Sequence, residues 1–164
     1  MSAPDILFLD EPTTGLDPQA RLQMWEVVER FRAEGGTVLL TTHYMEEAAR
    51  LCDRIAIMDH GRVIALGTPA ALIASLGADQ IIEFTISGEA EQFDATPLAT
   101  LTGVSGTRVQ ATGFALTVSD IGAALPALLA ELNRQQVKLD QLKTHQATLE
   151  DVFVNLTGRQ LREG

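Results

Sequence analysis

Two adjacent carboxylates, Asp10 and Glu11, follow a short apolar run from Ile6 to Leu9. Such a run is typical of a buried parallel strand, and ligands of α/β folds bind beyond the carboxyl ends of these strands. One carboxylate in this position can hold a Mg²⁺ ion through water, while its neighbour polarises the attacking water as a general base. The run and its carboxylates, taken alone, are equally compatible with an ordinary strand that ends in a solvated turn.

The residues after the carboxylates predict a turn and then a helix. Pro12 excludes further strand pairing, and Thr13-Thr14-Gly15 is turn-forming. Asp17 is predicted to be the N-cap of a helix that runs from Pro18 to about Ala33, with proline as its first residue. Four residues at near-helical spacing are predicted to face a core: Leu22, Trp25, Val28 and Phe31.

A histidine, His43, follows the next predicted strand, Thr37 to Thr41. A lone histidine after a strand is more often structural than catalytic, so its position by itself favours a structural role. The short predicted helix that follows, Tyr44 to Leu51, carries Glu46 and Glu47. We predict that both glutamates lie in a solvated first turn, where negative charge is favourable.

Two strings in this region resemble motifs of ABC transporter ATPases. The sequence DEPTTGLDP, residues 10–18, is similar to the Walker B motif and D-loop of that family, and the strand ending in His43 is similar to its H-loop. The similarity continues through YMEEA, DRIAIM, GRVIA and GTP, and it covers residues 4 to about 76. In this family the two strands adjoin, which favours a functional role for His43 over a structural one.

The resemblance implies a role in ATP hydrolysis for each polar residue. Asp10 would hold Mg²⁺ through water, and Glu11 would be the general base for the attacking water. His43 would contact the γ-phosphate of ATP and hold Glu11 in place. Asp17, besides capping the helix, would touch the partner subunit across a dimer. Asp10 and Asp17 are thus predicted cofactor-binding residues, and Glu11 and His43 are predicted catalytic residues.

The segment from Thr148 to Arg159 resembles the C-terminal end of ATP-binding subunits from drug, antibiotic or polysaccharide exporters. That resemblance implies a cytoplasmic subunit that dimerises with a second ATP-binding subunit. It also implies attachment to the inner face of the cell membrane through a separate permease, which would determine the transported substrate.

Three elements of the family are missing from the sequence: a Walker A loop of the form G-x-x-x-x-G-K-[ST], a Q-loop glutamine and an LSGGQ-type signature. The only lysines, Lys138 and Lys143, do not follow a glycine-rich loop. We therefore expect a C-terminal fragment of such a subunit that is inactive in ATP hydrolysis by itself. The alternatives are a non-catalytic dimerisation or regulatory module in residues 79–164, or the product of a truncated gene.

Composition narrows the possible partners. With 46% hydrophobic residues the chain can form a core, and its net charge of −10 argues against binding of nucleic acid. No apolar stretch approaches the roughly 20 residues of a membrane span. The single cysteine, Cys52, cannot form an internal disulfide. Cys52 and His145 have no evident partners, and we predict structural roles for both.

The predicted fold class is α/β, with an incomplete P-loop NTPase-type parallel sheet in residues 1–78 and a small ferredoxin-like α+β module in residues 79–164. By resemblance, the Walker A strand would lie between the strand before His43 and the strand that begins near Ile55. Its absence would leave either a gap or a direct pairing of the two strands. The remaining predicted elements are the strands 54–58 and 62–66, a helix 69–76, a strand 80–86, a helix 92–101, a hairpin 108–118, a helix 121–135, a strand 137–142 and a helix 148–156.

Overall fold

A computed structural model describes residues 5–77, 80–87, 93–110 and 112–158 and shows a mixed α/β fold. The strands are β1 (Ile6–Asp10), β2 (Thr37–Thr41), β3 (Ile55–Asp59), β4 (Arg62–Gly67), β5 (Gln80–Ser87), β6 (Val104–Gln110), β7 (Gly113–Val118) and β8 (Lys138–Gln146). The helices are α1 (Pro18–Ala33), α2 (Met45–Leu51), α3 (Pro69–Ala74), α4 (Ile121–Arg134) and α5 (Leu149–Thr157). A 3₁₀ helix spans Thr96–Thr100.

The first sheet consists of β1 and β2, which pair in parallel with Asp10 opposite Thr41. One face of this sheet packs on α1, where Trp25 and Val28 are buried as predicted. The predicted burial of Leu22 is wrong, since its side chain is 48% exposed. Leu22 lies outside the buried stripe that Trp25 and Val28 form on the single face of α1 that meets the sheet.

The hairpin β3–β4 forms a separate antiparallel sheet, and the described strands β2 and β3 are not paired with each other. A groove of about 330 Å³ lies along β2, lined by Arg32 and by residues 36–40 and 51–54. Of the two arrangements expected without a Walker A strand, the structure therefore contains the gap. The lining residue Cys52 is half-buried, and this burial raises the pKa of its thiol.

The second half contains a four-stranded sheet in the order β6-β7-β5-β8, with every neighbouring pair antiparallel. One face carries a core that includes Ile82, Leu116 and Leu128, all fully buried. The predicted helix 92–101 is wrong over its described residues, because only the 3₁₀ helix forms there; Gln92 lies outside the described residues. Pro97 falls inside the predicted helix and lacks the backbone N–H that an α-helix needs.

The final helix, α5, packs on the first half of the chain. Leu149 and Val152 join a buried cluster with Ala48, Ile57 and Leu72. The helix begins with a capping box, in which Thr148 and Asp151 exchange hydrogen bonds between side chain and backbone. The division into units at residues 78 and 79 stays a prediction.

Candidate functional site

The predicted carboxylate pair lies where β1 and β2 end together. Asp10 accepts a hydrogen bond from the Thr41 hydroxyl on the neighbouring strand. The next backbone N–H, that of Glu11, donates to the Thr41 carbonyl at 2.9 Å. Parallel pairing therefore continues to the last residue of β1, and it fixes both carboxylates at the edge where ligands of α/β sheets bind.

Glu11 has a left-handed backbone, with φ of 45°. This region is costly for residues with a Cβ atom, typically by about 1–3 kcal/mol, and such residues cluster at functional sites. The carboxylate is held from two sides. The Thr14 hydroxyl donates to Oε2 at 3.1 Å, and Nδ1 of His43 lies 3.4 Å from Oε1.

His43 is brought to Glu11 by the short segment between β2 and α2. Its ring packs on that of Tyr44 with centroids 4.2 Å apart. The Arg21 guanidinium lies 4.5 Å from the centre of the Tyr44 ring. The Glu11 and His43 side chains remain 48% and 32% exposed, so the pair faces solvent. Such a pair can accept a proton from water and stabilise the charge that results.

Asp17 caps α1 as predicted, since one of its carboxylate oxygens accepts hydrogen bonds from the backbone N–H groups of Gln19 and Ala20, both at 2.9 Å. Among the described residues it makes no hydrogen bond or ion pair with Asp10, Glu11 or His43. The structure therefore brings three of the four predicted site residues to one strand edge and places the fourth at the start of the next helix.

Sequence reasoning missed the role of Glu47. The prediction of a solvated first turn holds for Glu46, which is exposed, but it is wrong for Glu47, which is completely buried. One of its carboxylate oxygens, Oε1, accepts hydrogen bonds from the Thr13 hydroxyl and from Nε1 of Trp25, both at 2.9 Å. The sequence did contain an indication that Glu47 is buried, because Glu47 shares the apolar face of α2 with Leu51, one helical turn later.

His145 also has a partner that the sequence did not reveal. It lies on β8, and its Nε2 is 3.3 Å from the Asp151 carboxylate of α5. This contact joins the sheet to the final helix, which agrees with the predicted structural role.

The donor chemistry of the strand edge fits Mg²⁺ only in part. Asp10 and Glu11 offer the carboxylate oxygens that this ion prefers. Among the described residues, however, no group of three or more His, Cys, Asp or Glu side chains is arranged to hold a metal. The ion would therefore need most of its ligands from water and phosphate, which is the usual way in which proteins bind Mg²⁺ with nucleotides.

A carboxylate pair and a histidine at adjacent parallel strand ends are the features expected of ABC-type ATP-binding proteins, and comparison with known proteins identifies the family. Residues 67–157 match the family model described as "ATP-binding protein DrrA1-3-like, C-terminal domain". Since this match covers more than half of the chain, the protein belongs to the DrrA1-3-like ATP-binding family of ABC transporters.

Three curated relatives are similar over nearly the whole chain. The linearmycin resistance ATP-binding protein LnrL of Bacillus subtilis (strain 168) is 41% identical over 99% of this chain and 53% of its own length. The Nod factor export ATP-binding protein I of Paraburkholderia xenovorans (strain LB400) is 43% identical, over 98% of this chain and 49% of its own length. The daunorubicin/doxorubicin resistance ATP-binding protein DrrA of Streptomyces peucetius is 42% identical, over 94% and 47%.

The chain thus spans about half the length of the curated relatives it matches. A solved structure of an ATP-binding subunit of an ABC transporter is 38% identical over 45% of this chain and 31% of its own, with a TM-score of 0.42. Every helix in the described residues is too short or too polar to cross a lipid bilayer.

Proposed function

We propose that this chain supplies the hydrolytic part of the ATP site in an ATP-binding subunit of an ABC exporter. The observation that carries the proposal is the approach of Glu11 and His43 to 3.4 Å at the ends of two paired parallel strands. Relatives named for drug resistance and Nod factor export support the assignment to export.

In this proposal the chain's own residues position and activate water. Glu11 accepts a proton from the attacking water. Its positive backbone φ turns the chain at the end of β1 and so keeps the carboxylate beyond the strand. Nδ1 of His43 faces Glu11, and the same ring would contact the γ-phosphate of ATP. Asp10 would hold Mg²⁺ through water, and the ion would neutralise charge on the phosphate oxygens of ATP. Asp17 would contact the nucleotide-bearing partner subunit.

The phosphate-binding residues must come from outside these 164 residues, since the sequence has no G-x-x-x-x-G-K-[ST] motif. We propose that they pack along the unpaired edge of β2. Two observations support this arrangement. The groove beside β2 is open, and the face of the first sheet opposite α1 exposes Phe8 and Leu39, which sit opposite each other in the parallel register.

We further propose that the assembled subunit dimerises and attaches to a separate membrane permease on the cytoplasmic side. In the same proposal the four-stranded sheet is a ferredoxin-like module. Support for this comes from its strand order and from the position of α4, which connects β7 to β8 across the sheet.

The proposal is tested by ATP hydrolysis with magnesium. We expect no phosphate release by the chain alone. We expect release after mixing with a polypeptide that carries the part of the Bacillus subtilis relative not covered by the match. Glu11→Gln should abolish the activity of the mixture, while Glu46→Gln, an identical change at an exposed position on α2, should preserve it. A complex that forms in gel filtration but hydrolyses no ATP would contradict the catalytic role.

A second candidate is a non-catalytic interaction module in residues 79–164. The observation in its favour is that the core of the four-stranded sheet is built entirely from residues between Ile82 and Leu142. Dimerisation of the full chain that is unaffected by substitutions on the β1–β2 face would support this candidate. Sedimentation of the full chain as a monomer at high concentration would exclude it.

A further inference from the structure

The buried carboxylate of Glu47 is unusual for a residue in the first turn of a short helix. Glu47 is completely buried, and withdrawing a carboxylate from water costs several kcal/mol unless it is well paired. Only Oε1 is paired, and Oε2 has no hydrogen-bond partner. An apolar residue would fill the same space beside Leu51 without this cost. Packing alone therefore does not explain a glutamate here.

The two donors to Oε1 come from different elements. Thr13, itself completely buried, belongs to the loop that follows Glu11. Trp25 belongs to the middle of α1. One oxygen atom thus connects the loop, α1 and α2. Because two donors from different elements bind this oxygen, the position of the Glu47 carboxylate is well defined.

The loop after β1 connects the anchored Thr13 to Glu11. The Thr14 backbone N–H donates to the Glu11 carbonyl at 3.1 Å, and the Thr14 hydroxyl donates to the Glu11 carboxylate. Thr13 lies between these two residues, so anchoring its side chain restricts the whole turn. At the other end, Glu47 follows His43 by four residues, on the helix that begins two residues after the histidine.

We propose that Glu47 is a positioning residue that sets the separation of Glu11 and His43. It does so by tying the loop after β1 to the helix after β2 through the Thr13 hydroxyl. Its importance for hydrolysis rests on the function proposed above. The geometric claim is independent of hydrolysis and is tested without ATP.

The test uses ¹⁵N NMR of the full chain at fixed pH and reads the Nδ1 resonance of His43. Only three histidines are present, so His60 and His145 serve as internal references. Glu11→Gln defines the change that follows when the carboxylate partner is lost. Thr13→Val removes the donor of the hydrogen bond between Thr13 and Glu47, and Glu47→Met removes its acceptor. We expect each variant to produce most of the change in the His43 resonance that Glu11→Gln produces. Thr13→Ser, which restores the hydroxyl, should return the resonance to its original position.

Two further variants separate positioning from other effects. Glu47→Gln keeps an oxygen acceptor but removes the charge, so the His43 signal should stay in place if Glu47 acts through the hydrogen bond. Trp25→Phe removes the other donor to the same oxygen and leaves the tie to Thr13, so it should lower stability without moving the His43 signal.

The proposal would be overturned if the His43 signal did not move in either Thr13→Val or Glu47→Met. It would also be overturned if both variants failed to fold. Either result would leave Glu47 with a purely structural role. The function proposed above fails separately, by absence of ATP hydrolysis in the mixture. A normal NMR response with no hydrolysis would therefore leave the positioning role intact and remove only its catalytic meaning.

Discussion

The two halves of the chain bury their apolar side chains to different degrees. Residues 5–77 form two separate two-stranded sheets, whereas residues 80–146 contain a four-stranded sheet around one core. Of the exposed large hydrophobic side chains in the described residues, nine lie in the first half and three in the second. Phe8 is the clearest case, since it is 70% exposed at the centre of β1.

This difference follows from the kinds of strand that the two halves contain. Strands of parallel sheets are normally covered on both faces, and their sequences are apolar throughout. The β1 sequence, Ile-Leu-Phe-Leu, has that pattern but is covered by α1 on one face only. The antiparallel sheet needs less cover, because its own strands and α4 complete a core. The first half thus has the composition of a larger sheet than the one it forms here.

Amide hydrogen exchange should show the largest contrast between the halves. We expect the central strands β5 and β7 to exchange about a thousandfold more slowly than β1 and β2, a difference of about 4 kcal/mol in opening free energy. Burial supports this expectation, since β5 and β7 both carry fully buried residues whereas β1 and β2 carry none. Equal and cooperative protection in both halves of a monomer would contradict the comparison.

Core truncations should give the next largest effect. Leu128→Ala removes a completely buried side chain from the core beneath the four-stranded sheet and should lower the free energy of unfolding by about 3 kcal/mol. Leu39→Ala, the same truncation at an exposed position of β2, should change it by less than about 0.5 kcal/mol. Urea unfolding followed by circular dichroism measures both. Similar losses would show that the β1–β2 face is covered in solution.

The smallest effect should appear in the acid dependence of stability. The Arg134 guanidinium, helped by Gln135, lowers the pKa of Glu131 from 4.5 to about 2. A lowered pKa means that the ionised form stabilises the fold. This contribution is complete above pH 4.5 and is lost as the pH falls through about 2. Glu131→Gln should therefore flatten the stability profile of the second half between pH 4.5 and 2, as measured by urea unfolding.

A second glutamate–arginine ion pair, in the first half of the chain, provides a comparison for the Glu131–Arg134 pair. Glu29 and Arg50 join α1 to α2 at 2.8 Å, and the arginine lowers the pKa of this glutamate as well. Both side chains are 39% exposed, whereas Glu131 is only 10% exposed. Solvent screening should therefore make the effect of Glu29→Gln on the acid profile the weaker of the two. A steeper effect at Glu29 would reverse this order.

The sequence predicts local structure well wherever local rules determine it. Helix α1 begins at Pro18 and is capped by Asp17, because the Asp17 carboxylate accepts hydrogen bonds from free N–H groups at the helix start and Pro18 has no N–H that needs a partner. Strand β8 extends four residues beyond its predicted end, through the polar stretch that contains His145. Polar residues are tolerated there because three of the four added residues, Lys143, Thr144 and Gln146, are exposed to solvent.

Long-range contacts account for what the sequence did not predict. Glu47 is buried because Thr13 and Trp25, distant in the chain, supply hydrogen bonds that make the burial tolerable. No local pattern identifies both donors. The approach of Glu11 to His43 was predicted through the resemblance to a family, and its geometry depends on the parallel register of β1 and β2.

The packing of α5 has a consequence for synthesis of the chain. Ala48 and Val152 belong to one buried cluster although about a hundred residues separate them, so this contact closes a long loop and should form late in folding. During translation, α2, α3 and β3 would emerge from the ribosome well before the helix that completes their cluster. Until then, their apolar side chains would stay open to solvent and to chaperones that bind such surfaces.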